Sequence, residues 1–227
     1  MNNKTKNSNF HNFRQKAQRL IYVVGPSSGY ANWMQGILTN DMKSADLVVF
    51  TGGEDISPDL YNQPPHFTTG PNPYRDAYEL KEYNRALKLK KPMIGICRGH
   101  QFLCAMAGGI LIQDQENPRV YHPMTTEDGK TLIITSLHHQ AAYPWGMPKE
   151  DYKVIAWADE SEYHKGGNDE ELTPEDGKEV EIIYFPKIKA YGVQGHPEMM
   201  VNSSYPECEE TLAYLRNQLD LFIAGKL

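Results

Sequence analysis

Ile94-Gly95-Ile96-Cys97-Arg98-Gly99-His100-Gln101 is an apolar run that ends in Gly-x-Cys-x-Gly and passes straight into a helical pattern. A strand followed at once by a helix forces a sharp turn, and glycines on either side of the cysteine let the two elements pack closely. The turn displays one thiol, and the helix N-terminus just beyond it favours thiolate over thiol. A nucleophile of this kind needs a base. His196-Pro197-Glu198 offers one after a second apolar run, Ala190 to Gln194, with a carboxylate two residues on to orient the ring. Cys97, His196 and Glu198 are the candidate catalytic triad.

Outward from this turn, strands and helices alternate. Leu20 to Val24 reads as a first strand ending at Gly25-Pro26, followed by Ser27, Ser28 and Gly29. That stretch lacks the glycine spacing of a phosphate-binding loop and reads as turn chemistry. Tyr30 to Leu38 predicts a brief helix. Leu47 to Phe50 is a buried strand that delivers Thr51-Gly52-Gly53 at its carboxyl end, the edge at which open parallel sheets bind ligands. Asn72 caps a helix with Pro73 at its first position, and Ala77, Leu80, Asn84 and Leu87 share one face of it. Lys90-Lys91-Pro92 ends that helix, Met93 to Ile96 is the nucleophile strand, and Arg98 to Ala107 is the elbow helix, stopped by Gly108-Gly109. Further strands are expected at Ile110 to Gln113, Thr131 to Thr135, Lys153 to Trp157, Val180 to Phe185 and Ala190 to Gln194. Pro206 to Ile223 places Leu212, Leu215, Leu219 and Phe222 at helical spacing, an amphipathic helix covering one sheet face. The order predicts an α/β fold: a mainly parallel central sheet, helices on both faces, and an antiparallel extension.

With 227 residues the chain fits one domain, read as residues 20–227 behind a basic, flexible arm at residues 1–19. The first forty residues hold five Lys or Arg and no acid, although the net charge is −6. Interleaved with Asn, this reads as a frayed terminus rather than a nucleic-acid-binding arm. The polar N-terminus reads as neither a secretory signal nor a membrane anchor, and no apolar run approaches the roughly 20 residues of a membrane span. Three cysteines, Cys97, Cys104 and Cys208, at irregular spacing give no disulfide framework and point to the cytoplasm, with Cys104 and Cys208 as structural, buried thiols. Asp159 to Glu181 carries ten carboxylates against Lys165 and Lys178 and reads as an exposed insertion.

The elbow with Gln101, the His-Pro-Glu, and Ser136-Leu137-His138-His139-Gln140 together resemble the class I glutamine amidotransferases. Thr51-Gly52-Gly53-Glu54-Asp55-Ile56-Ser57-Pro58 with Tyr61, then Arg75-Asp76-Ala77-Tyr78-Glu79 and Cys97-Arg98-Gly99, look most like their gamma-glutamyl hydrolase branch. The likeness runs from about Phe50 to Glu198 and implies a flavodoxin-like architecture. It implies an oxyanion hole built from the Arg98 N–H and the Gly-Gly loop, carried over to Gly53. It also implies a glutamyl pocket at Gln101 and at Leu137-His138, and a buttress role for Arg75, Asp76 and Glu79, which as bare residues read as a helical ion-pair set. Two departures stand out. Only about twenty-five residues separate Val24 from Phe50, which predicts a sheet one strand smaller than usual. Gly195 stands where a bulkier residue is commoner, so the site is expected to be roomier or looser there.

The chemistry implied is attack of Cys97 on a gamma-glutamyl amide or amine to give a thioester, with His196 moving the proton and Glu198 steadying the ring, and no cofactor. The adjacent His138 and His139 point apart in a strand and, without a second ligand pair, predict no metal site. The rival within enzymes is a glutaminase subunit that passes ammonia to a separate synthetase chain, for which His100 in Cys-x-Gly-His-Gln speaks. A silent binding module would have lost one of the triad residues, and a peptidase or chaperone type with an elbow cysteine would draw its histidine from His100.

Overall fold

The structure is a computed structural model that describes residues 18–26, 29–116, 120–159 and 161–227. Residues 1–17 of the basic arm and the Ser27-Ser28 turn lie outside the described residues. Arg19, on the arm side of the expected boundary, is engaged: its carbonyl accepts from Ile37 N at 2.9 Å and its guanidinium pairs with Asp220.

In chain order the strands are β1 (Leu20–Val24), β2 (Ile37–Leu38), β3 (Leu47–Phe50), β4 (Met93–Ile96), β5 (Ile110–Ile112), β6 (Asp114–Gln115) and β7 (Tyr121–Thr126). They continue with β8 (Thr131–Thr135), β9 (Ala141–Tyr143), β10 (Lys153–Ala158), β11 (His164–Lys165), β12 (Glu179–Phe185) and β13 (Ala190–Val193). The helices are α1 (Tyr30–Trp33), α2 (Pro73–Lys88), α3 (Arg98–Ala107), α4 (Pro197–Met200) and α5 (Pro206–Ile223). Among the described residues the principal sheet has nine strands in the order β2-β1-β3-β4-β13-β12-β10-β7-β8. From β2 to β13 neighbours run parallel, and from β13 to β8 they run antiparallel, the mainly parallel sheet with an antiparallel extension that the sequence predicts. The edge beside β1 holds only the two residues of β2, both exposed, so the shortfall there is a shortened edge strand rather than a vacant place.

Side chains of successive strand residues go to opposite faces. Leu47 and Val49 of β3 join Ile94 and Ile96 of β4 under Leu212, Leu215 and Leu219 of α5. Val48 and Phe50 join Met93 under Tyr83 and Ala86 of α2 and Phe102 and Leu103 of α3. Each face thus buries one continuous apolar layer, the arrangement of a helix–sheet–helix sandwich.

Four readings change. The helix after β1 is confined to Tyr30–Trp33, and Ile37–Leu38 leaves it to pair with β1. Helix α2 is capped by Asn72, whose side chain accepts from Arg75 N, but its buried face carries Asp76, Glu79, Glu82, Tyr83 and Ala86; of the expected face Ala77, Asn84 and Leu87 are exposed, and Leu80 packs partly buried against the apolar layer. Arg98 beneath the helix draws Asp76 and Glu79 inward, and Glu82 pairs with Arg85 and accepts from the Tyr22 hydroxyl at 3.0 Å. Glu179 and Glu181, assigned to the exposed acidic insertion, are buried strand residues of β12: Glu179 accepts from Ser161 N at 2.8 Å, and Glu181 faces His122 Nε2 at 3.2 Å. Strands β7 and β9 escape the sequence reading, since the inward residues of β7 include His122 and Thr126. Cys104 and Cys208 are buried free thiols, and burial pushes the Cys104 thiol up to about 12.

Candidate active site

Cys97 sits between β4 and α3 at φ 51° and ψ −110°, a left-handed φ that a side-chain-bearing residue adopts only under constraint. Strain of this kind costs on the order of 1–3 kcal/mol and persists where the surroundings over-determine it. Here they do: Cys97 N donates to Val193 O at 2.8 Å on β13, and Cys97 O accepts from Gln101 N at 3.1 Å to open the helix. The flanking glycines are sterically required. A Cβ on Gly95 would strike the Gly99 backbone, and one on Gly99 would strike the Phe50 carbonyl. Cys97 is 5% exposed and stands at the N-terminus of α3.

His196 follows β13, the neighbour of β4, so the parallel pair Gly95↔Gly192 and Ile96↔Val193 delivers Cys97 and the base at the same sheet edge. Its backbone N–H donates to Thr135 O at 3.0 Å. Pro197 opens α4, and that turn brings Glu198 Oε1 to 2.7 Å from His196 Nδ1. Burial alone would depress the imidazole, but its neighbours, Cys97 and the Glu198 carboxylate, prevail and raise it to about 10. The ring therefore keeps its proton at neutral pH. A histidine so held can return a proton to a leaving nitrogen.

Around this pair the structure gathers the other expected residues to differing degrees. Gly53 is exposed at φ 146°, and a Cβ there would run into the Arg75 guanidinium. Gly52 is buried, and its N–H donates to the Tyr30 hydroxyl at 3.1 Å, which leaves Gly53 as the loop's accessible donor. Arg98 contributes its N–H directly after Cys97, while its fully buried side chain pairs with Asp76 at 2.6 Å and with Glu79. Gln101 is buried, its Nε2 donating to Gln140 O at 2.8 Å. Leu137 turns its side chain outward, 53% exposed, whereas His138 turns inward. Burial, then the proximity of His122, His100 and His196, pushes His138 down to about 3, so its ring is neutral.

His139 points away from His138, with Nε2 3.3 Å from Asp55 and Nδ1 3.3 Å from Asp114. Among the described residues no group of three or more His, Cys, Asp or Glu is arranged to hold a metal ion. The histidine bonded to Cys97 is His196; His100 is fully buried on α3, where burial lowers it to about 3. Gly195 does not open the site. A Cβ there would strike Ile134 and the Thr135 carbonyl, so the missing side chain makes room for β8 rather than for a substrate.

Tyr30 is the site residue the sequence reading missed. Besides accepting the Gly52 N–H, its hydroxyl lies near Glu198 and Cys97; burial, then the Glu198 charge, holds its proton up to about 12. Nothing in the spacing of Tyr30 marks it, because it reaches the site from α1, an element apart from both the elbow and the His-Pro-Glu.

Residues 23–132 match the Peptidase C26 family. The chain is 44% identical over 184 residues to protein NtpR of Enterococcus hirae, covering 70% of this chain and 69% of that one. It is 32% identical over 185 residues to YvdE of Lactococcus lactis, a protein described as glutamine amidotransferase-like, covering 71% and 69%. A crystal structure of a glutamine amidotransferase from Thermotoga maritima superposes with a TM-score of 0.57 over 91% of this chain and 98% of that one, at 14% identity, a likeness of fold. The chain belongs to the peptidase C26 family of class I glutamine amidotransferase-like proteins.

Proposed function

We propose that this protein is a cysteine hydrolase of gamma-glutamyl amides or amines. The observation that carries the reading is the Cys97–His196–Glu198 array: a strained elbow thiol bonded to an imidazole whose far nitrogen is held 2.7 Å from a carboxylate. Cys97 sulfur attacks the delta carbonyl, and the C=O electron pair moves to oxygen, which Gly53 N–H and Arg98 N–H receive. The pair returns as the C–N bond breaks, and His196 delivers its proton to the departing nitrogen, leaving a glutamyl thioester and a free amine or ammonia. Water, deprotonated by His196, then attacks the thioester, expelling the Cys97 sulfur as thiolate and releasing the gamma-carboxylic acid, which gives its proton to the freed amine in solution. Gln101 and the Leu137-His138 segment line the glutamyl end. No step calls for a cofactor, and the three free thiols fit a reducing cytoplasm.

The test is glutamate release by the purified protein across a panel of gamma-glutamyl compounds that includes glutamine, with Cys97→Ala as blank. Turnover of a gamma-glutamyl amine, absent in the blank, supports a self-sufficient hydrolase. Slow turnover of glutamine alone would instead assign a glutaminase subunit that feeds ammonia to a separate synthetase chain.

A further inference from the structure

Arg75 reaches from α2 across the Thr51–Glu54 loop and binds it at four points. Nη2 donates to the Thr51 carbonyl at 3.0 Å, the Thr51 hydroxyl at 3.1 Å and the Gly52 carbonyl at 2.8 Å, and Nη1 donates to Glu54 Oε2 at 3.0 Å. The Gly52 carbonyl belongs to the same peptide unit as the Gly53 N–H. Because that unit is planar, fixing the direction of its C=O fixes the opposite direction of its N–H. A cation on the carbonyl also polarises the amide, which makes its N–H a stronger donor.

The other face of Arg75 is tied to the nucleophile side. Its Nε donates to Glu79 Oε1 at 2.8 Å, while Glu79 Oε2 takes Arg98 Nη1. Arg98 Nη2 reaches Asp76 Oδ1 at 2.6 Å, and Asp76 Oδ2 accepts from Ser57 N at 3.1 Å and Ser57 Oγ at 2.5 Å, at the far end of the same loop. Glu79 and Arg98 are fully buried, so this lattice is shielded from water. It joins the loop that holds Gly53 to the residue that holds the second N–H.

We infer that Arg75 is a positioning residue that aims the Gly53 N–H through the Gly52 carbonyl, and that Glu79, shared with Arg98, sets the spacing of the two oxyanion donors. The inference rests on the hydrolase reading above. It accounts for Asp76 and Glu79 on the face that α2 turns inward, since a helix placed there for packing alone would present apolar residues.

The experiment compares wild type with Arg75→Lys and Glu79→Gln. A lysine ammonium cannot reproduce the planar fork that spans two carbonyls and a carboxylate. Three readouts are taken on each protein: hydrolysis kinetics, affinity for the aldehyde analogue of glutamine, and the rate of Cys97 alkylation by iodoacetamide. The aldehyde adds to the thiol and places its oxygen between the donors, whereas alkylation needs no oxyanion site. Arg75→Lys is expected to lower kcat roughly 10²-fold, the scale of losing one such donor, at a nearly unchanged KM. Aldehyde affinity falls with it, alkylation stays at the wild-type rate, and Glu79→Gln moves the same way by less. Unchanged aldehyde affinity in Arg75→Lys, or a loss matched by slower alkylation or a smaller folded fraction, overturns the inference. A wild type that takes up the aldehyde but turns over nothing in the panel overturns the hydrolase reading instead, and the variants' aldehyde affinities still decide the role of Arg75. A wild type that does neither overturns both.

Discussion

At the scale of single residues, the site is governed by what surrounds one imidazole. The folded state raises His196 from 6.5 to about 10, so across that window it binds a proton that the unfolded chain has released. A group raised in this way contributes stability that is complete below about pH 6.5 and is lost as pH climbs through about 10. The denaturant midpoint of wild type, measured against His196→Gln, should therefore decline over that interval; a difference that stays flat with pH would contradict the pairing. Tyr30 supports the site differently. Tyr30→Phe leaves the buried Gly52 N–H without its acceptor, a loss of about 1–3 kcal/mol in unfolding free energy. A variant as stable as wild type would mean that the hydroxyl does not hold the loop. Both residues illustrate what was legible in the sequence: Cys97, His196 and Glu198 carry their chemistry in type and order, whereas Tyr30 acquires its place only from the packing of α1 against the site, which no periodicity encodes.

Among elements, the β4–α3 elbow is the most tightly determined. Gly99 lies so close to the Phe50 carbonyl that any Cβ must push β3 and α3 apart. Gly99→Ala is accordingly expected to cost about 1–3 kcal/mol and to depress the Cys97 alkylation rate, as the thiol moves off the helix end. Full stability in a urea melt would show that the elbow has slack. The elbow was readable because glycine and cysteine are distinctive and a buried strand is uniformly apolar. Helix α2 was readable in its extent, from Asn72 onward, and not in its orientation. Its apolar residues Ala77 and Leu87 are exposed while Asp76, Glu79 and Glu82 are buried. An apolar stripe reports burial only when burial is apolar; here Arg98 and Arg75 neutralise Asp76 and Glu79, and Arg85 with the Tyr22 hydroxyl meets Glu82, so that most of the partners come from outside the helix. Strand β7 was hidden for the same reason, its inward His122 sitting against Glu181.

For the molecule as a whole, the chemistry lies at one edge of a sheet whose two faces are independently packed, and no helix among the described residues is long and apolar enough to cross a membrane. Removing residues 1–17 is expected to leave kcat and KM unchanged, provided the cut spares Arg19 and its tie to Asp220. A large loss on that truncation would give the basic segment a part in turnover. The strand order carries a further consequence. β13 lies in the middle of the sheet, between β4 and β12, yet among the described strands it comes last in sequence. A polypeptide leaving the ribosome therefore presents Cys97 on the order of 5–20 s before His196 has been made, at elongation rates of about 5–20 residues per second. The nascent chain passes through that interval with a thiol and no base, and the strand that fills the place between β4 and β12 is also the one that delivers His196.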